Sequence, residues 1–447
     1  MSDPGALLAR ERERYTALHP RSLAAFERAE SSLLGGVPMT WMTKWPGGFP
    51  LHAERAQGNR VTDVDGIEYV DFCLGDTGAM AGHSPPATVA AVTQRLGSLG
   101  GAATMLPTAD AAWVGAELSR RFGERRWSFT LTASDANRFA IRIARQLTGR
   151  TKILVFSHCY HGSVDETFVV ATPDGPRSRE GNVGPPVDPA LTTRVVEFND
   201  ADALERELAH GDVAAVLTEP ALTNIGIVLP APGFLDAVRS LTTAAGSLLI
   251  VDETHTLSAG PGGCTRAWSL EPDVVTLGKS IGGGVPTGAY GLRPDLAARI
   301  TGDPRADLED VGGVGGTLAG NPLSVAAMRA TLELVLTDEA LGYMCALGHR
   351  FAAAIGEAVE RHSLPWCVVE LGARAEVRFC PEPPTSGGAS AAAANDELDE
   401  LLHLYLLNRQ IMITPFHNMS LMCPATSEDD VDRHVAAFDE LAAELAA

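Results

Sequence analysis

Two short apolar runs near the middle of the chain each end in a residue that can do chemistry. Residues 248–251 form one run, which ends at Asp252, and residues 274–277 form another, which ends at Gly278 and Lys279. Short apolar runs closed by turn residues are typical of buried parallel strands. Ligands of open α/β sheets bind beyond the carboxyl ends of the strands, so we expect Asp252 and Lys279 to point into one crevice.

A lysine and an aspartate in this arrangement suit the chemistry of pyridoxal phosphate. The lysine amine condenses with the aldehyde of the cofactor. The aspartate keeps the pyridine nitrogen protonated, so that the ring accepts electrons from a carbanion of the substrate. A surface lysine and a strand-end aspartate without a function would have the same local sequence. The other strand ends therefore decide between the two interpretations.

The sequence that precedes these two runs predicts alternating strands and helices. Strands are predicted at 127–131, 153–156, 194–198 and 213–217, and helices at 109–122, 135–148, 200–210 and 232–245. This alternation predicts an α/β fold with a mostly parallel sheet covered by helices on both faces. Two low-complexity or polar stretches, 171–190 and 381–394, are predicted to be loops.

The two ends of the chain have a different pattern. Residues 5–34 read as helix, and a long helical stretch follows Pro322. We therefore expect an N-terminal segment at 1–64, a large domain at 65–325 and a C-terminal small domain at 326–447.

Composition excludes several classes of function. The chain has 447 residues, 45% of them hydrophobic, and a formal net charge of −21. Such an acidic surface disfavours nucleic acid and anionic membranes as partners. The first residues lack the apolar core of a signal peptide, and no run is long enough to span a bilayer, which predicts a cytoplasmic protein. Seven scattered cysteines without a C-x-x-C pair predict neither disulfides nor a metal site.

Other strand ends carry groups that are compatible with the same cofactor. Ser134 lies where a strand ends and a helix begins, and it either caps the helix or helps to hold a phosphate. Thr317 precedes a later helix and is a second phosphate candidate. Tyr160 either stacks on a planar ring or packs in the core. Glu219 and Asn224 follow another strand, where Glu219 is either structural or bonds near the phenolic oxygen of the cofactor.

Five segments of the sequence resemble one enzyme family: LLIVDETHT, DVVTLGKSIGGGVPTGAYGL, ARQLTGRTKILVFSHCYHG, TEPALTNIGIVLPAPGFL and GGTLAGNPLSVAA. They are similar to the class III (ω-type) aminotransferases among the fold-type I pyridoxal-phosphate enzymes, in the glutamate-1-semialdehyde aminomutase-like branch. The resemblance covers residues 25–440. It implies a large domain with a seven-stranded, mostly parallel sheet between helices, and a smaller α+β domain built from both chain ends.

The resemblance assigns roles around the cofactor ring. It implies that Lys279 is the Schiff-base lysine and that Asp252 pairs with the pyridine nitrogen. Tyr160 corresponds to the aromatic residue that stacks on the ring. Thr254 stands where the family usually has a hydrophobic residue beneath the ring. His255 follows it and is expected to pack or hydrogen-bond rather than act as a general base.

The resemblance also assigns the phosphate site. Ala133 and Ser134 replace the Gly-Thr pair of the family's SGTEA motif. Thr317 matches a threonine that reaches the phosphate from the other subunit, which implies a homodimer with shared active sites. Glu219 and Asn224 match positions near the ring and the substrate.

One departure concerns the substrate. Relatives that act on amino acids tend to carry an arginine after Gly36, where this chain has Pro38, Met39, Trp41 and Met42. Residues 257–259 also lack the second pocket arginine of the family. A carboxylate site needs a guanidinium for bidentate binding, so this wall favours apolar or aryl amines. The candidate substrate contacts are Trp41, Met42, His161 and Asn224.

The resemblance thus implies an aminotransferase that moves an amino group from an amine or amino acid to a keto acid, ketone or aldehyde. An aminomutase of the glutamate-1-semialdehyde type and an amino acid racemase remain open as alternatives. A nucleotide-binding dehydrogenase has a similar sheet pattern, but no G-x-G-x-x-G follows the first strand. A catalytically silent relative is a further alternative, against which the intact Lys279 and Asp252 argue.

Overall fold

The computed structural model describes residues 3–184, 187–303 and 313–447. The helices of these residues are α1 (Pro4–Leu18), α2 (Pro20–Ala29), α3 (Pro86–Gln94), α4 (Ala109–Phe122), α5 (Ala133–Thr148), α6 (Ala201–Leu208), α7 (Phe234–Ala245), α8 (Gly263–Ala267), α9 (Pro294–Thr301), α10 (Pro322–Leu334), α11 (Asp338–Arg361), α12 (Gly387–Ala392), α13 (Asp396–Leu407) and α14 (Glu428–Ala446). The strands are β1 (Ala53–Gln57), β2 (Arg60–Asp63), β3 (Glu68–Asp71), β4 (Arg126–Thr130), β5 (Lys152–Phe156), β6 (Val169–Thr172), β7 (Gly175–Ser178), β8 (Thr193–Val196), β9 (Val213–Thr218), β10 (Leu248–Asp252), β11 (Val274–Gly278), β12 (Gly288–Leu292), β13 (Cys367–Leu371), β14 (Arg374–Arg378), β15 (Ile411–Met412) and β16 (Met419–Leu421).

The chain divides into two compact units. The first unit comprises Met1–Pro85, Ala340–Pro383 and Ala393–Ala447, and the second comprises Pro86–Glu339 and Pro384–Ala392. The sequence placed the boundaries after residues 64 and 325, and the structural units divide later at both points. Helix α10 therefore belongs to the second unit and not to the C-terminal region.

The second unit is built on a seven-stranded sheet. Its strand order is β4-β12-β11-β10-β9-β5-β8, and only β12 runs antiparallel to its neighbours. Every residue of β9, β10 and β11 is buried, as expected for central strands covered on both faces. The predicted fold class, α/β with a mostly parallel seven-stranded sheet, is confirmed.

The first unit contains two small sheets. One has the order β1-β2-β3-β15 and the other the order β13-β14-β16. The predicted single helix at 5–34 is wrong, because α1 ends before His19 and Pro20 begins α2. Proline fixes its own φ angle and lacks an N–H group, so it suits the first turn of a new helix.

Two predicted loops contain regular structure. Within 171–190, β7 pairs with β6 as an antiparallel hairpin, and residues 185–186 of that stretch lie outside the described part. Within 381–394, α12 belongs to the second unit, where the Gly388 N–H donates to Glu197 Oε2 at 3.1 Å. No helix in the described ranges has the length and apolar character to cross a bilayer.

Candidate active site

Asp252 and Lys279 leave the same edge of the large sheet. β10 and β11 are parallel neighbours with Asp252 in register with Thr276, and Lys279 directly follows the end of β11. Lys279 has φ +49°, which is left-handed and unusual for a residue with a side chain. Such a conformation costs on the order of 1–3 kcal/mol and persists where the surrounding structure imposes it. The fold therefore holds this lysine in a fixed backbone position.

Three donors hold the carboxylate of Asp252. Nδ1 of His161 donates to Oδ2 at 2.9 Å, and Nδ2 of Asn137 donates to the same oxygen at 2.7 Å. The N–H of Thr254 donates to Oδ1 at 3.0 Å. Asp252 is 3% exposed and His161 1% exposed. The carboxylate thus has one orientation, fixed from two sides.

The charge of Asp252 is maintained by these neighbours. Burial alone would raise the pKa of Asp252, but the bonds from His161, Thr254 and Asn137 outweigh burial and lower it. Burial likewise opposes the charged form of His161, while the interactions with Cys159 and Asp252 raise the pKa of its imidazole. Asp252 is therefore a buried anion near neutral pH, paired with an imidazolium.

The N-terminus of α5 offers an anion site beside these groups. The Thr132 hydroxyl caps the helix by accepting from the N–H of Asp135 at 3.1 Å. The N–H groups of Ala133 and Ser134 have no acceptor among the described residues, as is usual at the start of a helix. The Ser134 hydroxyl accepts from the N–H of Ser163 at 3.0 Å. Free N–H groups at a helix start bind phosphate.

Close contacts connect α5 to the loop after β5 and to the end of β11. A Cβ atom on Gly162, which has φ +80°, would lie 1.9 Å from Ser134 Oγ. A Cβ atom on Gly278 would lie 2.7 Å from Ala133 Cβ. One turn further along α5, the side chain of Asn137 bonds to Asp252. The first turns of α5 therefore position the anion site, the lysine and the carboxylate relative to one another.

His255 lies against the lysine. Nε2 of His255 is 2.9 Å from Nζ of Lys279, a hydrogen-bond distance, and the His255 residue is 9% exposed. The loop that carries His255 begins at Glu253, whose buried carboxylate accepts from the Thr256 hydroxyl and from the N–H groups of Cys264 and Thr265. The position of the imidazole is therefore set by a closed network of hydrogen bonds.

Comparison with known proteins identifies the family. A sequence model of the Aminotransferase class-III family matches residues 42–397. The chain belongs to the class-III aminotransferase family. The chain is 34% identical over 450 residues to glutamate-1-semialdehyde 2,1-aminomutase from Chloroflexus aggregans, which covers 96% of this chain and 99% of the relative.

Solved structures give the same family. A glutamate-1-semialdehyde-aminomutase from Pseudomonas aeruginosa, also solved in complex with PMP, has 47% identity and a TM-score of 0.95, covering 99% of this chain and 98% of that chain. A β-phenylalanine aminotransferase from Variovorax paradoxus has 28% identity and a TM-score of 0.87, covering 98% and 97%.

The cofactor of this class-III enzyme is pyridoxal 5′-phosphate, and the described residues fit it. The unbonded N–H groups of Ala133 and Ser134 suit its phosphate, the lysine its aldehyde, and the buried anion Asp252 its pyridine nitrogen. When bound, the cofactor supplies an electron sink for a carbanion of the substrate. Among the residues that the structure describes, no cluster of His, Cys, Asp or Glu could hold a metal ion.

The remaining predicted residues of the second unit take varied positions. Tyr160 is half-buried, with its ring 6.1 Å from that of Phe168. Asn224 is half-buried beyond the end of β9. Glu219 is buried and accepts from the hydroxyl and N–H of Thr223. Burial raises the pKa of Glu219 to about 7.

Thr317 is exposed and lines a cavity of about 270 Å³ together with Asp135 and Phe139 of its own chain. Trp41 and Met42 lie in the first unit, on a helical turn at Thr40–Lys44. The Trp41 ring meets Phe416 edge-on, with the ring centres 5.6 Å apart.

Two features differ from the sequence-based assignment. His161 was expected to contact the substrate, but its ring is buried and holds Asp252. Asn137 received no side-chain role from the sequence, yet its side chain bonds to Asp252 and accepts from the Thr276 hydroxyl at 2.6 Å. A polar side chain on the apolar face of a helix, as Asn137 is between Ala136 and Ala140, is the signal that could have revealed it.

Proposed function

We propose that this enzyme is a pyridoxal-phosphate-dependent aminomutase of the glutamate-1-semialdehyde type. In such a reaction, the amino group of C2 and the carbonyl oxygen of C1 exchange places within one molecule. The observation that carries the proposal is the 47% identity, over almost the whole chain, to a structure described as a glutamate-1-semialdehyde-aminomutase. The aminomutase alternative is thus better supported than the transaminase of apolar amines.

Three parts of this chain share the work in the proposed reaction. Lys279 would hold the cofactor covalently, and its amine would move the proton of the reacting carbon. Asp252 keeps the pyridine nitrogen protonated because His161 and Asn137 maintain its charge and orientation. The start of α5 holds the phosphate. Each group lies on or beside α5, β10 or β11.

The test is isomerisation without a second reactant. Purified holoenzyme is given glutamate 1-semialdehyde with no other amine or carbonyl compound, and 5-amino-4-oxopentanoate is followed by NMR. We expect the product to form, and Lys279→Ala to abolish it. Lys152→Ala is the matched control. Lys152 is the first residue of β5 and lies at the amino edge of the sheet, opposite to the edge that carries Lys279, so this variant should retain the activity. Absence of the product with fully loaded enzyme would contradict the proposal.

Transfer between two molecules is the second candidate, and the segment at 37–45 favours it. No arginine occurs in this segment, where Trp41 and Met42 stand instead, so nothing there would bind a substrate carboxylate bidentately. The test is the absorbance of the holoenzyme after 1-phenylethylamine is added without an acceptor. Bleaching supports use of an amine that lacks a carboxylate. Bleaching only with alanine or glutamate would rule out an amine without a carboxylate as the donor and would leave transfer from an amino acid, and absence of bleaching with any donor would rule out this candidate.

A homodimer with shared active sites is part of the proposal. Large apolar side chains between α3 and α4 are exposed, among them Leu96 at 57%, Met105 at 78% and Leu106 at 68%. Exposed apolar patches of this kind mark interaction surfaces. Thr317 is also exposed, as a residue that serves the other subunit must be. Light scattering of the holoenzyme should give twice the chain mass, and a monomer would contradict the assignment.

A further inference from the structure

The contact between His255 and Lys279 joins two basic nitrogens at a reacting atom. Nε2 and Nζ are 2.9 Å apart, and His255 is almost completely buried. Two positive charges at this separation repel strongly in a partly desolvated site. A proton on either nitrogen therefore has a short path to the other.

The imidazole is placed for this contact by the rest of its loop. The carboxylate of Glu253 fixes the loop through Thr256, Cys264 and Thr265. The hydroxyl of Ser258 donates to the carbonyl oxygen of His255 at 3.0 Å. A Cβ atom on Gly263 would lie 2.1 Å from Glu253 Oε2, so the loop closes tightly around this carboxylate. The loop holds His255 at a fixed distance from Lys279.

We propose that His255 is the proton partner of Lys279. The Lys279 amine takes a proton from the reacting carbon and becomes an ammonium group. This ammonium passes one proton to Nε2 of His255, which leaves a neutral amine and an imidazolium. The imidazolium later returns the proton to Nζ, which delivers it to the carbon that is protonated next and becomes a neutral amine again, so that neither protons nor electrons are gained or lost over the cycle. This role goes beyond the packing or hydrogen-bonding role expected from the sequence.

The consequence for Lys279 is a supply of neutral amine inside a partly buried site. Only the neutral amine can bond to an aldehyde carbon, and an aminomutase must repeat this step within one turnover. A base within hydrogen-bond distance gives the ammonium a short path for losing its proton. This inference rests on the proposed role of Lys279, so the test must separate the two.

The test follows attachment of the cofactor to the apoenzyme and needs no substrate. Pyridoxal phosphate is mixed with cofactor-free protein at one fixed pH, and the absorbance of the lysine-linked cofactor is followed by stopped flow. His255→Gln keeps a hydrogen-bonding side chain but cannot take a proton, whereas His255→Met does neither. We expect both variants to attach the cofactor about 100-fold more slowly, as is typical for loss of a general base.

A third variant distinguishes proton transfer from a structural role. His255→Gly leaves a space that imidazole can enter, and added imidazole should raise its attachment rate in proportion to concentration. Thermal unfolding of each variant checks that the protein is folded.

Wild-type rates in both His255→Gln and His255→Met would overturn the inference. A wild-type rate in His255→Gln alone would also overturn it, because a hydrogen bond would then suffice. So would a lack of response to imidazole in His255→Gly. Borohydride reduction of the wild-type holoenzyme, followed by peptide mapping, tests the role of Lys279 separately. A label on another lysine would overturn the proposed function, whatever the His255 variants do.

Discussion

Replacing Asp252 by asparagine tests whether the buried charge drives the chemistry. The substitution keeps the shape of the side chain and removes its charge. Asp252 now accepts three hydrogen bonds, two at Oδ2 and one at Oδ1. The asparagine side chain has one accepting oxygen, so its NH₂ group must face at least one of the three donors. The least costly orientation keeps His161 and Asn137 bonded and leaves the N–H of Thr254 without an acceptor.

The expected magnitudes follow from these contacts. An unpaired buried donor costs about 1–3 kcal/mol, and an imidazolium left without its carboxylate brings the total to about 3–5 kcal/mol of unfolding free energy. The pyridine nitrogen loses its charged partner as well. Loss of one preorganised electrostatic partner slows the chemical step by about 10²–10³-fold.

The pH dependence of this stability loss has a definite sign. The pKa of Asp252 is lowered from 3.8 in the folded protein, so its contribution is present above that value and is lost as pH falls. The pKa of His161 is raised from 6.5, so its contribution is complete below 6.5 and is lost as pH rises towards the folded value. The difference between wild type and Asp252→Asn should therefore be largest between about pH 4 and 6.5.

The assay combines a single half-reaction with urea unfolding. The decay of the lysine-linked cofactor absorbance after an amino donor is added gives the rate. Asp273→Asn is the matched control, because Asp273 is equally buried and accepts from the Leu249 N–H at 2.7 Å, but it lies at the amino edge of β11. Asp273→Asn should lower the free energy of unfolding and leave the rate of the half-reaction unchanged. A rate for fully loaded Asp252→Asn within about threefold of wild type would refute the reasoning, since it corresponds to under 1 kcal/mol.

Two further substitutions test the surroundings of the site. Gly162→Ala should cost about 2–4 kcal/mol of stability and weaken cofactor binding, because the new methyl group meets Ser134, whereas Gly149→Ala, with φ +69° and no atom within 4 Å, should cost about 1 kcal/mol. Equal unfolding free energies for the two would contradict this. The pKa of Glu219 is raised to about 7 from 4.5, so the wild type loses stability as pH rises through this range. The unfolding free energy of Glu219→Gln relative to wild type should therefore increase by about 2 kcal/mol when the pH is raised from 5 to 8. A difference between the two proteins that does not change with pH would count against the raised pKa.

The sequence was most informative where regular patterns are long. The bounds predicted for α4, 109–122, agree with the structure because apolar periodicity and turn residues mark them. Asp252 and Lys279 were found because the ends of parallel strands meet at one edge. The predicted helix at 5–34 was wrong because the break at Pro20 was overlooked.

Contacts between side chains far apart in the sequence could not be predicted. The bond of His161 to Asp252 depends on how the loop after β5 packs under α5, and no local pattern encodes it. The same holds for Asn137, whose partner belongs to β10. The approach of His255 to Lys279 depends on a loop whose shape is set by the buried Glu253.

The pairing of β3 with β15 has a consequence for how this protein acquires its structure. Val70 is in register with Ile411, so one edge of this small sheet is completed by residues about 340 positions later in the chain. At roughly 5–20 residues per second, a ribosome needs on the order of 20–70 s to reach them. During that time β3 presents an open edge, which is a template for pairing with other chains. The first 85 residues are therefore open to strand pairing with other chains while the protein is being synthesised.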